Sequence, residues 1–129
     1  MSSIHTPDER YHALDLVSTL IAVLRLDGAV VFVNAALEDA LGVSRRMLEG
    51  IDFCGLFTDP VILQTALAGA RGQDFAALRF EAVLRRPQQD PLPVHASVAV
   101  VEHSGDVLVE LWPLEAQARQ DREERLREQ

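Results

Sequence analysis

The sequence predicts an α+β fold: a five-stranded antiparallel sheet with short helices on one face and a flanking helix at each end. Three observations support this prediction. Residues 22–26, which are apolar except for Arg25, and the apolar residues 30–33 are joined by a segment with Asp-Gly, a common signal for a tight hairpin turn. Short segments with helix-capping residues follow. Residues 78–84 and 94–100 then alternate apolar and polar side chains, and residues 107–112 form a further strand segment.

The first predicted helix begins near Thr6, because Thr6 and Glu9 form a capping box and Pro7 suits the first helical position. Apolar residues then recur at spacings of three and four, as on one face of a helix. They are Tyr11, Leu14, Val17, Leu20 and Ile21. Such a stripe packs on the domain or on a second copy. We therefore predict a dimer face formed by Leu14, Val17, Leu20 and Ile21.

The predicted hairpin turn is Asp27-Gly28, because glycine adopts positive φ angles without strain. Asn34 ends the second strand and precedes a short helix over residues 35–41. Gly42 stops this helix in the left-handed conformation. Asp27, Gly28, Asn34 and Gly42 are therefore predicted to form the structural motif of this region.

Two further capping signals follow in the central part of the chain. Ser44 is predicted to cap a single turn ending near Glu49. Asp59-Pro60 opens a longer helix, with a capping carboxylate and a proline at the first position. Gly72 ends that helix. The helices between the second and third strands are therefore predicted to cover the apolar face of the sheet.

Composition excludes several classes of function. The chain has 129 residues and a net charge of -8, which is unfavourable for binding nucleic acid or an anionic membrane surface. No apolar run approaches the roughly 20 residues that span a bilayer. We expect a soluble, cytoplasmic protein without a signal peptide. Cys54 is the only cysteine, so no internal disulfide forms.

The sequence contains no recognisable catalytic centre, and we expect no enzymatic activity, cofactor or metal. Cys54 could form a flavin adduct, but its apolar neighbours favour a buried, inert cysteine. The four histidines have no metal-ligand spacing, and adjacent carboxylates on a helix do not face each other. An alternative function is the binding of a small apolar ligand between sheet and helices. The predicted lining of that pocket is Leu56, Phe57, Leu63, Leu67 and Phe80.

The order of turns, caps and strands resembles the PAS domain, a sensor module with two strands, several short helices and three strands. The residues that carry the resemblance are Asp27-Gly28, Val31 to Asn34, Gly42 and Gly50. The two ends, Leu20-Ile21 and residues 109–119, resemble the PAS domain of the NtrB family of nitrogen-regulation histidine kinases. The resemblance divides the chain into a cap-helix start at 1–13, a PAS domain at 14–114 and a charged linker helix at 115–129.

The resemblance implies a regulatory domain that forms a homodimer and relays a signal through Trp112, Pro113 and Leu114 to a kinase region absent from this chain. An NtrC-type response regulator and a PII protein would contact that absent region. The family's phosphorylated histidine also lies there, so no catalytic residue is carried over. Pairs such as Glu115 and Arg119 at four-residue spacing favour a helix in the linker.

Overall fold

One antiparallel sheet forms the centre of the structure. The computed structural model describes residues 11–72, 77–101 and 104–114. In that part of the chain, five strands follow the spatial order β2-β1-β5-β4-β3. They are β1 (Leu20–Leu24), β2 (Val30–Val33), β3 (Ala77–Leu84), β4 (Leu92–Val100) and β5 (Val107–Pro113). The predicted five-stranded antiparallel sheet is confirmed.

Helical segments between β2 and β3 cover one face of the sheet, and a short 3₁₀ helix precedes β1. The α-helices are α1 (Ala35–Leu41), α2 (Arg45–Leu48) and α3 (Pro60–Arg71), and the 3₁₀ helices are η1 (His12–Leu16) and η2 (Phe53–Leu56). Within the described ranges, no helix is long and apolar enough to cross a bilayer. The predicted helix start at Thr6 and the charged helix over 115–129 lie outside the described residues.

Most of the predicted caps occur in the structure. The Asn34 side chain accepts a hydrogen bond from the Leu37 amide, and Asp59 accepts one from the Val61 amide. Gly42 ends α1 with φ of 70°. Ser44 occupies the predicted N-cap position of α2, but its side chain makes no capping hydrogen bond. A Glu38 carboxylate oxygen accepts the amide of the first helical residue, Arg45, at 2.8 Å.

The hydrophobic core lies between the sheet and these helices. Alternate residues of each strand point into it, as the period of two in a strand requires. The sheet contributes Ala22, Leu24, Val94, Ala96, Val98, Val107, Val109 and Leu111, among others. The helices contribute Leu37, Leu41, Leu48, Leu63 and Leu67. The predicted core side of the sheet is therefore the observed one.

The predicted N-terminal helical stripe is wrong beyond Leu16. Leu20 and Ile21 begin β1, where Leu20 pairs with Leu111 and Ile21 with Glu110 of β5. All five residues of β1 are buried, so the strand is apolar on both faces and lacks the alternation that marks a half-buried strand. A continuous apolar segment of this kind fits a helix or a strand equally well.

The β1–β2 turn has the conformation that Asp-Gly predicts. Gly28 has φ of 94°, and its amide donates to the Arg25 carbonyl at 2.9 Å. The Asp27 carboxylate accepts a hydrogen bond from the Ala29 amide at 2.9 Å. Glycine is required at position 28 for a second reason. A Cβ there would lie 2.8 Å from the Asp52 Oδ1 atom and 3.4 Å from Leu67 Cδ1.

We expect Gly28→Ala to destabilise the protein more than Gly50→Ala. Both positions have positive φ, 94° and 81°, so each alanine carries a backbone strain of about 1–3 kcal/mol. Only position 28 adds a steric contact, because no atom lies within 4 Å of a Cβ at position 50. Urea unfolding of the two variants measures the difference. Equal losses of unfolding free energy would show that the contact with Asp52 relaxes without cost.

Candidate functional site

Asn34 fixes the segment that enters the sheet. Its side chain is fully buried. The amide nitrogen donates to the carbonyls of Leu14 and Thr19, at 3.0 and 2.8 Å, and lies 3.3 Å from that of Val17. Its oxygen accepts the Ile21 amide at 3.0 Å and the α1 amide of Leu37 at 3.1 Å. One side chain thus connects the N-terminal segment, β1 and α1.

An ion-pair cluster also contacts the same segment. The Arg45 guanidinium lies 2.6 Å from Asp15 Oδ1 and 3.2 Å from Glu38 Oε1. It also stacks over the Phe32 ring, 4.5 Å from the centroid, which is a favourable cation–π geometry. Asp15 also accepts the Ala35 amide at 2.8 Å. The cluster therefore links η1 to both α1 and α2.

The four residues of the predicted dimer face do not share one surface. Leu20 and Ile21 are 7% and 4% exposed, so neither offers surface to a partner. Leu14 is half-buried, whereas Val17 is 40% exposed and the neighbouring Leu16 is 90% exposed. The structure therefore leaves Leu14 and Val17, with Leu16 beside them, as the accessible part of that face. Its role in dimerisation stays a prediction.

The predicted signal exit is continuous with the sheet. Trp112 and Pro113 belong to β5, where they pair with His95 and Val94 of β4. The Trp112 and His95 rings lie 6.0 Å apart between centroids. Leu20 pairs with Leu111 one residue before Trp112, so the start of β1 and the end of β5 are neighbours. The entry that Asn34 fixes thus lies beside the exit.

A cavity of about 300 Å³ lies next to the exit, at the β3 side of the sheet. Leu114 forms one wall, and the start of α3 forms another. The full lining is Thr58, Asp59, Ile62, Glu81, Ala82, Val83, Pro93 and Leu114. Sequence patterns did not indicate this cavity, because its walls come from four separate parts of the chain.

The five predicted pocket residues form part of the packed core instead of lining this cavity. Phe57, Leu63 and Leu67 are 2% exposed or less. Leu56 and Phe80 are partly buried and pack against the same cluster. Their role as a ligand pocket stays a prediction.

Cys54 is buried in the same core, beside the β1–β2 turn. Cys54 is only 2% exposed. A Cβ atom added at Gly28 would lie 3.6 Å from the Cys54 sulfur. Burial, together with the neighbouring Asp52 carboxylate, raises the pKa of the Cys54 thiol from 9.0 to about 12. The thiol is therefore protonated at neutral pH and is a poor nucleophile.

The described histidines do not form a metal site. His12 lies 3.5 Å from the Asp15 carboxylate, and His95 is half-buried beside Trp112. No group of three or more histidine, cysteine, aspartate or glutamate side chains in the described ranges has the geometry to hold a metal. His5 and His103 lie outside those ranges.

Solved structures share this arrangement of sheet and helices. The PAS domain of an HTR-like protein from Haloarcula marismortui is 22% identical, with a TM-score of 0.67, and the match covers 81% of this chain and 94% of that one. A PAS domain from a two-component sensor histidine kinase is 13% identical, with a TM-score of 0.68 and coverage of 81% and 92%. The chain has the PAS fold.

A further match in fold is a domain of a sensory box sensor histidine kinase/response regulator from Geobacter sulfurreducens. It is 24% identical, with a TM-score of 0.66, and the match covers 79% of this chain and 90% of that chain. Neither a protein-family model nor a curated protein matches the sequence. The PAS fold accounts for the strand order and for the helices on one face, and it is consistent with the resemblance of the turns and caps.

We expect Asn34→Asp to loosen the N-terminal segment of this PAS fold. The new carboxylate keeps an acceptor for Ile21 and Leu37 but removes the donor to the carbonyls of Leu14 and Thr19. Losing these hydrogen bonds costs roughly 2–5 kcal/mol of unfolding free energy. Chymotrypsin should then cut near Leu14 and Leu16 faster than in the unmodified chain. Asp59→Asn, which keeps an exposed cap acceptor, is the matched control.

We expect the Cys54 thiol to resist alkylation in the folded chain. A pKa of about 12 in place of 9.0 lowers the thiolate fraction at pH 8 about a thousandfold. The same shift stabilises the fold fully below pH 9, and this contribution is lost as the pH rises from 9 to about 12. Iodoacetamide labelling at pH 8, with and without guanidinium chloride, measures the protection. Rapid labelling of the folded chain would contradict the assignment of an inert thiol.

Proposed function

We propose that this chain is the regulatory PAS domain of a cytoplasmic two-component sensor histidine kinase of the NtrB nitrogen-regulation class. In this proposal the chain has no catalytic activity of its own. It forms a homodimer and passes a conformational change to a downstream kinase region. The NtrC-type response regulator and the PII protein contact that downstream region and do not contact residues 1–129.

The observation that supports the proposal is the position of the exit beside the entry. β5 leaves the sheet at Trp112-Pro113-Leu114, directly next to the start of β1. Asn34 and the Arg45 cluster fix the segment that leads into β1. A change in the packing of the segment before β1 would therefore alter the surroundings of the end of β5, the strand that leads out of the domain. Two-state packing at such a junction is a common basis of switching.

Homodimerisation is assigned to the exposed apolar part of the N-terminal segment. Leu16 and Val17 are 90% and 40% exposed, and Leu14 lies beside them in η1. When a second copy of the chain covers apolar side chains with this exposure, the burial of their surface stabilises the dimer. In the proposed dimer the two exits leave close together, so that the two linker helices run side by side into the kinase region.

The state of Cys54 supports a non-catalytic role. Its thiol is buried and protonated at neutral pH, so it is a poor nucleophile in this structure. The alternative function is the sensing of a small apolar ligand by residues around Leu63 and Phe80. Native mass spectrometry of the chain separates the two proposals, because a mass excess that disappears on denaturation favours the ligand sensor.

We expect Trp112→Ala to change signal output without unfolding the domain. The test is a fusion of this chain to the dimerisation, phosphotransfer and ATP-binding regions of a nitrogen-regulation histidine kinase. Loss of the Trp112–His95 contact at the exit should change the autophosphorylation rate about 2- to 30-fold. This fold-change corresponds to the coupling energies that single mutations between two sites usually alter.

Leu108→Ala is the matched control for this experiment. Leu108 lies on β5, four residues before Trp112. Its side chain is half-buried, like that of Trp112. Its truncation should leave the autophosphorylation rate unchanged. If Trp112→Ala also leaves the rate unchanged while the fold is intact, the exit assignment is wrong. If removal of the whole chain has no effect on the kinase, the regulatory role is wrong.

A further inference from the structure

β3 is the outermost strand at one end of the sheet. It pairs with β4 along one edge, and its other edge faces away from β4. The C-terminal end of this edge is covered, because the Thr58 amide donates to the Val83 carbonyl at 2.9 Å and the Arg85 amide donates to the Leu56 carbonyl at 2.7 Å. From Ala77 to Ala82, no other strand pairs with this edge in the part of the chain that the structure describes. An open strand edge is a template for a further strand.

The direction of the free backbone groups follows from the covered end. Backbone polar groups alternate between the two edges along a strand. Since those of Val83 and Arg85 point away from β4, those of Arg79 and Glu81 also point away from β4. Arg79 and Glu81 are both exposed, and their side chains share the sheet face opposite the core.

We propose that the open edge of β3 pairs with the same edge of a second copy of this chain, in an antiparallel register centred on Phe80. This register places Arg79 opposite the partner's Glu81 and Glu81 opposite the partner's Arg79. Each of these two positions is hydrogen-bonded, so the pair forms four backbone hydrogen bonds. Opposite charges at directly opposed positions stabilise a strand pair, and like charges destabilise it.

The charge pattern selects this register over its neighbours. A pair centred on Arg79 places two arginines opposite each other, and a pair centred on Glu81 places two glutamates opposite each other. Only the centre at Phe80 makes both charge pairs favourable. A positive and a negative side chain placed symmetrically about one residue are self-complementary across a two-fold axis between identical chains. This self-complementarity identifies a second copy as the partner.

Apolar side chains on the core face fit the same register. Leu78 is 36% exposed and Phe80 is half-buried at the open edge. In the proposed pair Phe80 lies opposite the partner's Phe80, and the partner's Leu78 lies opposite Ala82. The partner's Leu78 would therefore be covered in part by Ala82 across the strand pair, and burial of its apolar surface is favourable.

The edge pair is a different assembly from the dimer of the proposed function, and it does not depend on it. The two-fold axis of a continuous antiparallel pair is perpendicular to the sheet. In the resulting ten-stranded sheet each β5 is the third strand from the axis, and the two β5 strands run in opposite directions, so the two Leu114 residues lie on opposite sides of the axis and point away from each other. Two downstream helices cannot run side by side from these positions. The edge pair thus holds the two exits apart.

The test uses charge reversal in the full 129-residue chain, with sedimentation velocity over a dilution series in low-salt buffer. Arg79→Glu creates two glutamate–glutamate oppositions, and Glu81→Arg creates two arginine–arginine oppositions. Each should raise the dimer Kd by on the order of tenfold or more. The double variant Arg79→Glu/Glu81→Arg restores both pairs and should dimerise like the unmodified chain.

A mixture of the two single variants gives the sharpest result. The arginine-only and glutamate-only edges are complementary, so an equimolar mixture should form a heterodimer that neither variant forms with itself. Arg85→Glu is the control for net charge, because Arg85 lies in the covered part of the edge. Circular dichroism of each variant verifies that it is folded.

Three outcomes would overturn the proposal. The unmodified chain could be monomeric at every concentration, or its dimer could be insensitive to both single reversals. The double variant and the mixture could also fail to associate. A dimer that persists in all charge variants, but is lost when Leu16→Arg and Val17→Arg are combined, would exclude the edge pair and support the N-terminal dimer face of the proposed function.

Discussion

Asn34 connects three parts of the chain that are distant in sequence. Its amide group holds the carbonyls of Leu14 and Thr19, its oxygen holds the amides of Ile21 and Leu37, and its backbone amide completes the ladder to Ile21. A buried amide with all of its polar atoms used has few alternative positions, because each unpaired group would be left without water. The start of β1, the start of α1 and the path of the N-terminal segment are therefore set together.

The features that sequence analysis predicted correctly depend on local chemistry. The Asp27-Gly28 turn, the Asn34 and Asp59 caps and the left-handed Gly42 each involve atoms within a few residues. Leu20 and Ile21 were assigned incorrectly, because their strand partners in β5 are about ninety residues away. Ser44 has the predicted N-cap position but lacks a side-chain capping hydrogen bond, and the Glu38 carboxylate accepts the adjacent Arg45 amide. The error at Leu20 and Ile21 arises where a tertiary contact decides between two acceptable local structures.

The candidate site was less predictable than the fold, for a related reason. The Asp15–Arg45 ion pair joins residues thirty positions apart, and no spacing pattern marks either of them. The apolar residues around Leu63 were identified correctly as neighbours, yet apolar character alone does not distinguish a packed core from a pocket. Cys54 was expected to be buried and inert, and its surroundings in the structure agree with this. The burial of Cys54 could be predicted from its apolar neighbours in the sequence. The polar cluster at Arg45 could not, because its side chains come from distant parts of the sequence.

The position of β5 has a mechanical consequence. β5 lies in the middle of the sheet and is hydrogen-bonded along its length to β1 on one side and to β4 on the other. A pulling force applied along the chain beyond Leu114 acts parallel to both ladders, while their hydrogen bonds run perpendicular to the strands. The force therefore loads many bonds at once in shear, instead of breaking them one after another as in the peeling of an edge strand. Tension applied at Leu114 is therefore shared between the β1–β5 and β4–β5 ladders.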